Sequence, residues 1–107
     1  MAQSHCKVIY IEASAKREFL VSPEEVKEEF DLLIKELASF GTLNYPDGKK
    51  LAGYDLYEMR VSKNGSYRCI YSYQKDNIII LCAFKKKTRK TPLREIKKAL
   101  NRRKTLN

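Results

Sequence analysis

The sequence is poor in the residues that build the commonest metal and nucleophile sites. It holds one histidine, His5, and three cysteines, Cys6, Cys69 and Cys82, with no CxxC pair. An odd set of widely spaced thiols without a neighbouring imidazole supports neither a zinc site nor a disulfide framework, so no metal and no cofactor is expected. The cysteines, each inside a strand-like run, read as small buried apolar residues. His5 precedes the first such run and reads as a surface residue. Long apolar stretches are also missing. None approaches the roughly 20 residues that a membrane-spanning helix needs, which excludes such a helix and any membrane partner. The opening MAQSHCKVIYIEAS lacks a basic segment followed by an apolar core and a small-residue cleavage site, so a cytoplasmic location is expected.

Acids are scarce in one half of the chain. Residues 55 to 107 hold 4 Asp/Glu against 15 Lys/Arg, whereas residues 1 to 54 hold 9 against 7. Residues 85 to 104 alone carry 11 cations and a single acid, Glu95. The whole chain has a formal charge of +9. Charge of one sign gathered in this way marks a surface for a polyanion or for an acidic protein partner. With 107 residues, 43% of them hydrophobic and 10% aromatic, the chain forms one domain spanning 1–107 and is not disordered.

Cys6 to Ile11 is β-branched and aromatic and predicts a strand. Glu12 to Leu20 predicts a short helix. Ser22-Pro23-Glu24-Glu25 predicts a helix start, with Ser22 as cap, Pro23 at the first position and Glu25 closing a capping box. Val26, Phe30, Leu33, Leu37 and Phe40 then share one face, and Gly41 ends the helix. Thr42 to Tyr54 reads as a loop. Leu56 to Val61 alternates, with Tyr57, Met59 and Val61 on one face and Glu58 and Arg60 on the other. Lys63-Asn64-Gly65 signals a hairpin. Ser66 to Tyr73 returns, Lys75-Asp76-Asn77 turns, and Ile78 to Phe84 runs apolar throughout, as a strand inside a sheet does. Thr91-Pro92 repeats the cap-plus-proline start, and Leu93, Ile96 and Leu100 form a buried stripe. Arg102, Arg103 and Lys104 complement the dipole of its last turn. The order β-α-α-β-β-β-α predicts an α+β fold. It comprises a four-stranded, mostly antiparallel sheet with an N-terminal helical hairpin and a C-terminal helix, all burying their stripes on one sheet face.

Three segments carry a family likeness. Leu51 to Val61 (LAGYDLYEMRV) is followed by Tyr67-Arg68-Cys69-Ile70-Tyr71, and then by Ile79 to Pro92 (IILCAFKKKTRKTP). In this order and at these separations they resemble the RelE/ParE toxin superfamily, most closely its phage-derived HigB-like branch. The likeness covers about residues 51 to 100. It implies a RelE-like fold and a toxin of a type II toxin–antitoxin pair. That toxin would cut messenger RNA on the ribosome and would be held inactive by an antitoxin protein with a helix-turn-helix region. ParE-like members poison DNA gyrase instead, and a relative that binds RNA or antitoxin without catalysis is a third reading. The strand arginine of the likeness is Arg68, which touches the scissile phosphate in RelE-like members. The C-terminal Tyr or His/Asp/Tyr cluster of active members has no counterpart among Arg102 to Asn107.

The residues themselves suit metal-free RNA cleavage, which needs cations around a phosphorane and groups to move protons at the 2′-hydroxyl and the leaving oxygen. Arg60 and Arg68 are candidates to bind phosphate through guanidinium forks. Their alternative role is pairing with Glu58 and Asp55 as surface ion bridges. Lys85 and Lys87 join them as candidate catalytic cations, and Lys86, Arg89, Lys90 and Tyr73 as candidate RNA-binding residues. Glu58, read as an exposed strand carboxylate, is a candidate base or a structural partner of Arg60. Tyr54, Tyr57, Tyr67, Tyr71 and Tyr73 stack bases or pack the sheet. Tyr73 ends its strand with its phenol expected in solvent.

Overall fold

A computed structural model describes residues 7–63 and 65–106. His5 and Cys6, and the readings placed on them, lie outside the described residues. The chain runs β1 (Val8–Ile11), α1 (Ala13–Leu20), α2 (Glu24–Phe40), β2 (Gly48–Leu51), β3 (Leu56–Val61), β4 (Tyr67–Gln74), β5 (Asn77–Lys85) and α3 (Leu93–Thr105). The strands form one sheet in the order β1-β5-β4-β3-β2. Three neighbouring pairs are antiparallel and β1 lies parallel to β5. The sheet therefore has five strands, not the four expected.

The extra strand, β2, sits in the segment read as a loop. Four residues flanked by Gly, Pro, Asn and Asp are too few to show a period of two, so β2 owes its form to pairing with β3, from Gly48 opposite Met59 to Leu51 opposite Leu56. Gly48 lets the turn before β2 close tightly on Leu43. A Cβ there would stand 2.6 Å from Leu43 Cβ and 2.9 Å from the Leu43 carbonyl oxygen. Gly48→Ala is expected to cost about 1–3 kcal/mol by overpacking and to expose the amides of Lys49 to Leu51 to hydrogen exchange. An unchanged urea midpoint would show that the 43–48 turn yields without cost.

The helices cover both faces of the sheet, not one. On one face Val26, Phe30, Leu33 and Leu37 of α2, with Ala15 of α1, pack on Met59, Val61, Cys69, Tyr71, Ile78 and Ile80. On the other, Ile96 and Ala99 of α3 pack on Leu56, Ile70, Leu81 and Cys82, with Leu100 beside them. Strands β4 and β5 are thus buried on both sides, which is what the unbroken apolar run of β5 requires. Cys69 and Cys82 are buried free thiols on opposite faces of the sheet, whose thiols burial pushes upward, that of Cys82 to about 12. Phe40 and Leu93, expected in the buried stripes, are 66% and 53% exposed. Gly41 closes α2 in the left-handed region (φ 78°), its N–H donating to the Leu37 carbonyl. Neither predicted cap forms. Pro23 and Pro92 are extended and occupy the cap positions themselves, with no side-chain cap bond. The Ser22 hydroxyl donates back to the Glu18 carbonyl at 3.4 Å. Among the described residues no helix is long and apolar enough to cross a membrane.

Two features of β5 shape its surroundings. The first is a bulge. Ile70 faces Cys82 but the next residue, Tyr71, faces Ile80, so Leu81 is one residue too many on β5. Alternation therefore changes phase there. Ile79 and Leu81 share the α3 face with Cys82, whereas Ile78, Ile80 and Ala83 share the α1/α2 face. The second is the open edge beyond β1, whose last residue pairs with Ile80. Glu18 of α1 covers it by accepting the Ala83 N–H at 3.1 Å. Arg102 of α3 donates to the Leu81 carbonyl at 3.0 Å and to both Glu18 oxygens at 2.8 and 3.0 Å. Lys98 adds a third cation bond to Glu18 at 3.1 Å. The strand edge is thus sealed against pairing with another chain, and α1 is tied to α3 across it.

Candidate nucleic-acid interface

Strands β3 and β4 bring Arg60 directly opposite Arg68, on the sheet face that carries α3. Glu58, two residues before Arg60 on β3, projects between them. Its Oε1 lies 3.7 Å from Arg60 Nε and 3.6 Å from Arg68 Nε. Both distances exceed hydrogen-bond reach, so the attraction is Coulombic, and both Nε atoms are buried without an acceptor. Asp55, the other expected acidic partner, instead stands 4.0 Å from Arg103.

Glu58 is not the exposed carboxylate expected from alternation; only 2% of the residue is accessible. The start of α3 folds over it, and the Thr91 hydroxyl donates to its Oε2 at 2.5 Å. The hydroxyl read as a helix cap is used here instead. Arg68 is buried as well, at 4% exposure, with Nη1 donating to its neighbour's carbonyl, Tyr67 O, at 2.9 Å. Burial, partly offset by Glu58, lowers the Arg68 pKa, and Arg60 lowers it further. Arg60 is the more accessible of the two, with a quarter of its side chain exposed.

A groove of about 420 Å³ opens in front of this cluster. Lys49, Lys50, Arg60, Lys86, Arg89 and Lys90 supply its cations, and Glu58 is the only carboxylate in its lining. The Lys86 ammonium is held below its ordinary value by burial first, then by Arg68, against the pull of Glu58. Among the described residues Lys49, Lys50, Lys86, Arg89 and Lys90 form no ion pair, so their charge faces the groove uncompensated. No group of three or more His, Cys, Asp or Glu side chains suited to a metal ion occurs among the described residues.

The structure brings together Arg60, Arg68, Lys86, Arg89 and Lys90 of the candidate residues. It does not bring Lys85 or Tyr73 to them. Lys85 lies across the sheet, its ammonium 5.9 Å from the centre of the Tyr67 ring. The Leu81 bulge accounts for this, since it hands Lys86 and not Lys85 to the α3 face. Lys87 is exposed on the following loop and does not line the groove. The Tyr73 phenol is not in solvent: it donates to the Gly41 carbonyl at 2.8 Å. Its ring packs with Tyr57 and Tyr71 under α2, 5.0 and 5.9 Å away. Of the five tyrosines considered for stacking, only Tyr54 lines the groove. Lys49 escaped the sequence reading because it lies in β2; the Gly48-Lys49-Lys50-Leu51 quartet was its only signal.

Residues 17–104 match the family described as phage derived protein Gp49-like (DUF891). No curated protein matches the sequence. The fold is similar to that of the E. coli toxin RelE, solved as an arginine-to-alanine mutant in the free state. That match has a TM-score of 0.71 at 16% identity, over 91% of this chain and 97% of the other. It is also similar to the intact E. coli RelBE toxin–antitoxin complex, with a TM-score of 0.65 at 16% identity over 78% of this chain and 100% of the other. The RelB–RelE antitoxin–toxin complex of Methanococcus jannaschii gives 0.61 at 23% identity, over 71% and 88%.

Proposed function

This chain belongs to the phage-derived Gp49-like family and has a RelE-like fold, and we propose that it is the toxin of a toxin–antitoxin pair that cuts messenger RNA on the ribosome. The observation that carries the proposal is the cation-lined groove in front of Arg60, Arg68 and Glu58. Six cations against one buried carboxylate suit the phosphodiester backbone of a single strand.

Arg60 holds the non-bridging oxygens of the scissile phosphate and stabilises the charge that grows on them as the 2′-hydroxyl, giving its proton to a water molecule in the open groove, attacks phosphorus. Glu58 does not touch the substrate; it is a positioning residue that keeps the two guanidinium groups side by side. Arg68 lies beneath and raises the positive field. Lys86, whose proton is held less tightly than that of an ordinary lysine, protonates the departing 5′-oxygen as the cyclic phosphate forms. Lys49, Lys50, Arg89 and Lys90 track the strand on either side. An acidic antitoxin segment laid along the same groove would neutralise it by competing for these charges.

Induced expression under a tight promoter, with primer-extension mapping of abundant messages, tests the proposal. Growth arrest with discrete breaks inside translated codons is expected. Lys86→Ala should reduce the breaks by about 10²-fold or more, as loss of a general acid does, whereas Lys85→Ala should leave them nearly unchanged. Arrest without RNA breaks would turn the reading towards gyrase. No arrest would leave an RNA- or antitoxin-binding relative without catalysis.

A further inference from the structure

Arg60 borders a second cavity. The same side chain that lines the cation-lined groove also lines a pocket of about 430 Å³ between α2, the end of β3 and the turn before β2. Its character is different. Tyr45 and Pro46 form one wall, and Asp47, Glu29, Ser62 and Lys63 contribute polar groups. Lys63 is paired with Glu29 at 3.5 Å, so the pocket has no surplus of positive charge and is not built for phosphate.

Tyr45 is 73% exposed, so its ring is available for stacking. The Arg60 guanidinium stands 5.6 Å from its centre, over the ring. One face of the phenol ring is thereby occupied and oriented, and most of the rest remains open. The turn that carries it is anchored, because the Asp47 carbonyl accepts the Arg60 N–H at 2.9 Å. Tyr45 is thus a preset stacking platform beside an arginine that also faces the backbone groove.

We infer that this second pocket receives a nucleobase of the bound RNA, stacked on Tyr45, while the neighbouring phosphate occupies the cation-lined groove; the inference rests on the RNA reading of that groove. One guanidinium borders both cavities, so their occupants are adjacent, as a phosphate is to the base of its own or the next nucleotide. Carboxylates in the pocket accept hydrogen bonds and cannot donate them, so Asp47 and Glu29 favour a base with amino or imino donors, guanine above all. Base stacking on a protein ring accounts for single-strand binding that backbone charge alone does not explain.

The test is binding of two labelled RNA trinucleotides to the purified protein, one with a central guanine and one with an abasic central ribose. The wild type is expected to prefer the guanine oligomer. Tyr45→Ala should weaken that oligomer about tenfold, in the range of one stacked base, and leave the abasic one unchanged. Tyr45→Phe, which keeps the ring, should restore guanine binding. Equal binding of both oligomers by the wild type, or equal losses on both in Tyr45→Ala, would overturn the base pocket and leave the backbone groove standing. Failure of the wild type to bind either oligomer would overturn the base pocket, while the primer-extension experiment separately decides whether the backbone groove cuts RNA.

Discussion

Arg60→Ala is expected to abolish most RNA cleavage while leaving the protein folded. The side chain is a quarter exposed and makes no hydrogen bond among the described residues; its removal leaves Glu58 with Arg68 and Thr91, where water can enter from the groove, so the fall in stability should be smaller than for a fully buried partner. Loss of a preorganised charge at a developing oxyanion costs about 10²–10³-fold in rate. Arg68→Ala should behave differently, because Arg68 is buried against Glu58 at 3.6 Å. Taking it away leaves a buried carboxylate with one cation and a threonine hydroxyl, so stability should fall along with activity, by about 1–3 kcal/mol. Single-turnover cleavage and urea unfolding of the two variants separate the roles. If Arg60→Ala kept wild-type cleavage, the groove would not be the reaction site. If Arg68→Ala lost activity with stability intact, Arg68 would touch the substrate rather than underlie it.

The largest effect on stability alone is expected at Glu18. Its carboxylate accepts four hydrogen bonds, from Ala83 N–H, both Arg102 nitrogens and Lys98. Glu18→Ala opens the β5 edge and releases α3 from α1, at a cost of about 3 kcal/mol. The urea midpoint reads it, and a shift below a third of that size would mean that water replaces Glu18 at the edge without penalty. Acid should have a related effect. Burial raises the Glu18 pKa, but the bonds from Arg102, Ala83 and Lys98 outweigh it and hold the group below 4.5. A carboxylate depressed in the folded state stabilises above its unfolded pKa and loses that stabilisation as pH falls through the folded one. Wild-type stability should therefore drop on acidification below about pH 4.5, with a shallower drop in Glu18→Gln.

The elements that could be read from sequence are those whose pattern is local. Val26, Phe30, Leu33 and Leu37 announce α2, and the apolar run from Ile78 announces an interior strand. The Arg60/Arg68 juxtaposition follows from a hairpin whose turn residues are visible. Others depend on contacts made across the fold. Strand β2 has no period of its own. Ser22 and Thr91 look like caps, but a proline in extended conformation took each position and freed the hydroxyl for another partner. Glu58 alternates like a solvent-facing residue but is buried among Arg60, Arg68 and Thr91, the last in the segment that leads into α3. The assignment of lysines turned on a single extra residue, Leu81: without the bulge, alternation from Ile79 would carry Lys85 to the groove. Tyr45 lies in a turn whose composition says nothing about the arginine it meets.

The eleven cations between residues 85 and 104 are not equivalent. Arg94, Lys98, Arg102 and Arg103 of α3 are bound to carboxylates of the same chain, and those pairs form during folding. Lys86, Arg89 and Lys90, which line the groove, have no such partners among the described residues and stay clothed in mobile solution anions, as the RNA phosphates stay clothed in condensed cations. When strand and groove meet, both atmospheres are released to bulk, and the entropy of that release is the part of the affinity that salt can withdraw. Within one run of positive charge the fold thereby sets apart two groups, one that salt acts on through stability and one that it acts on through binding.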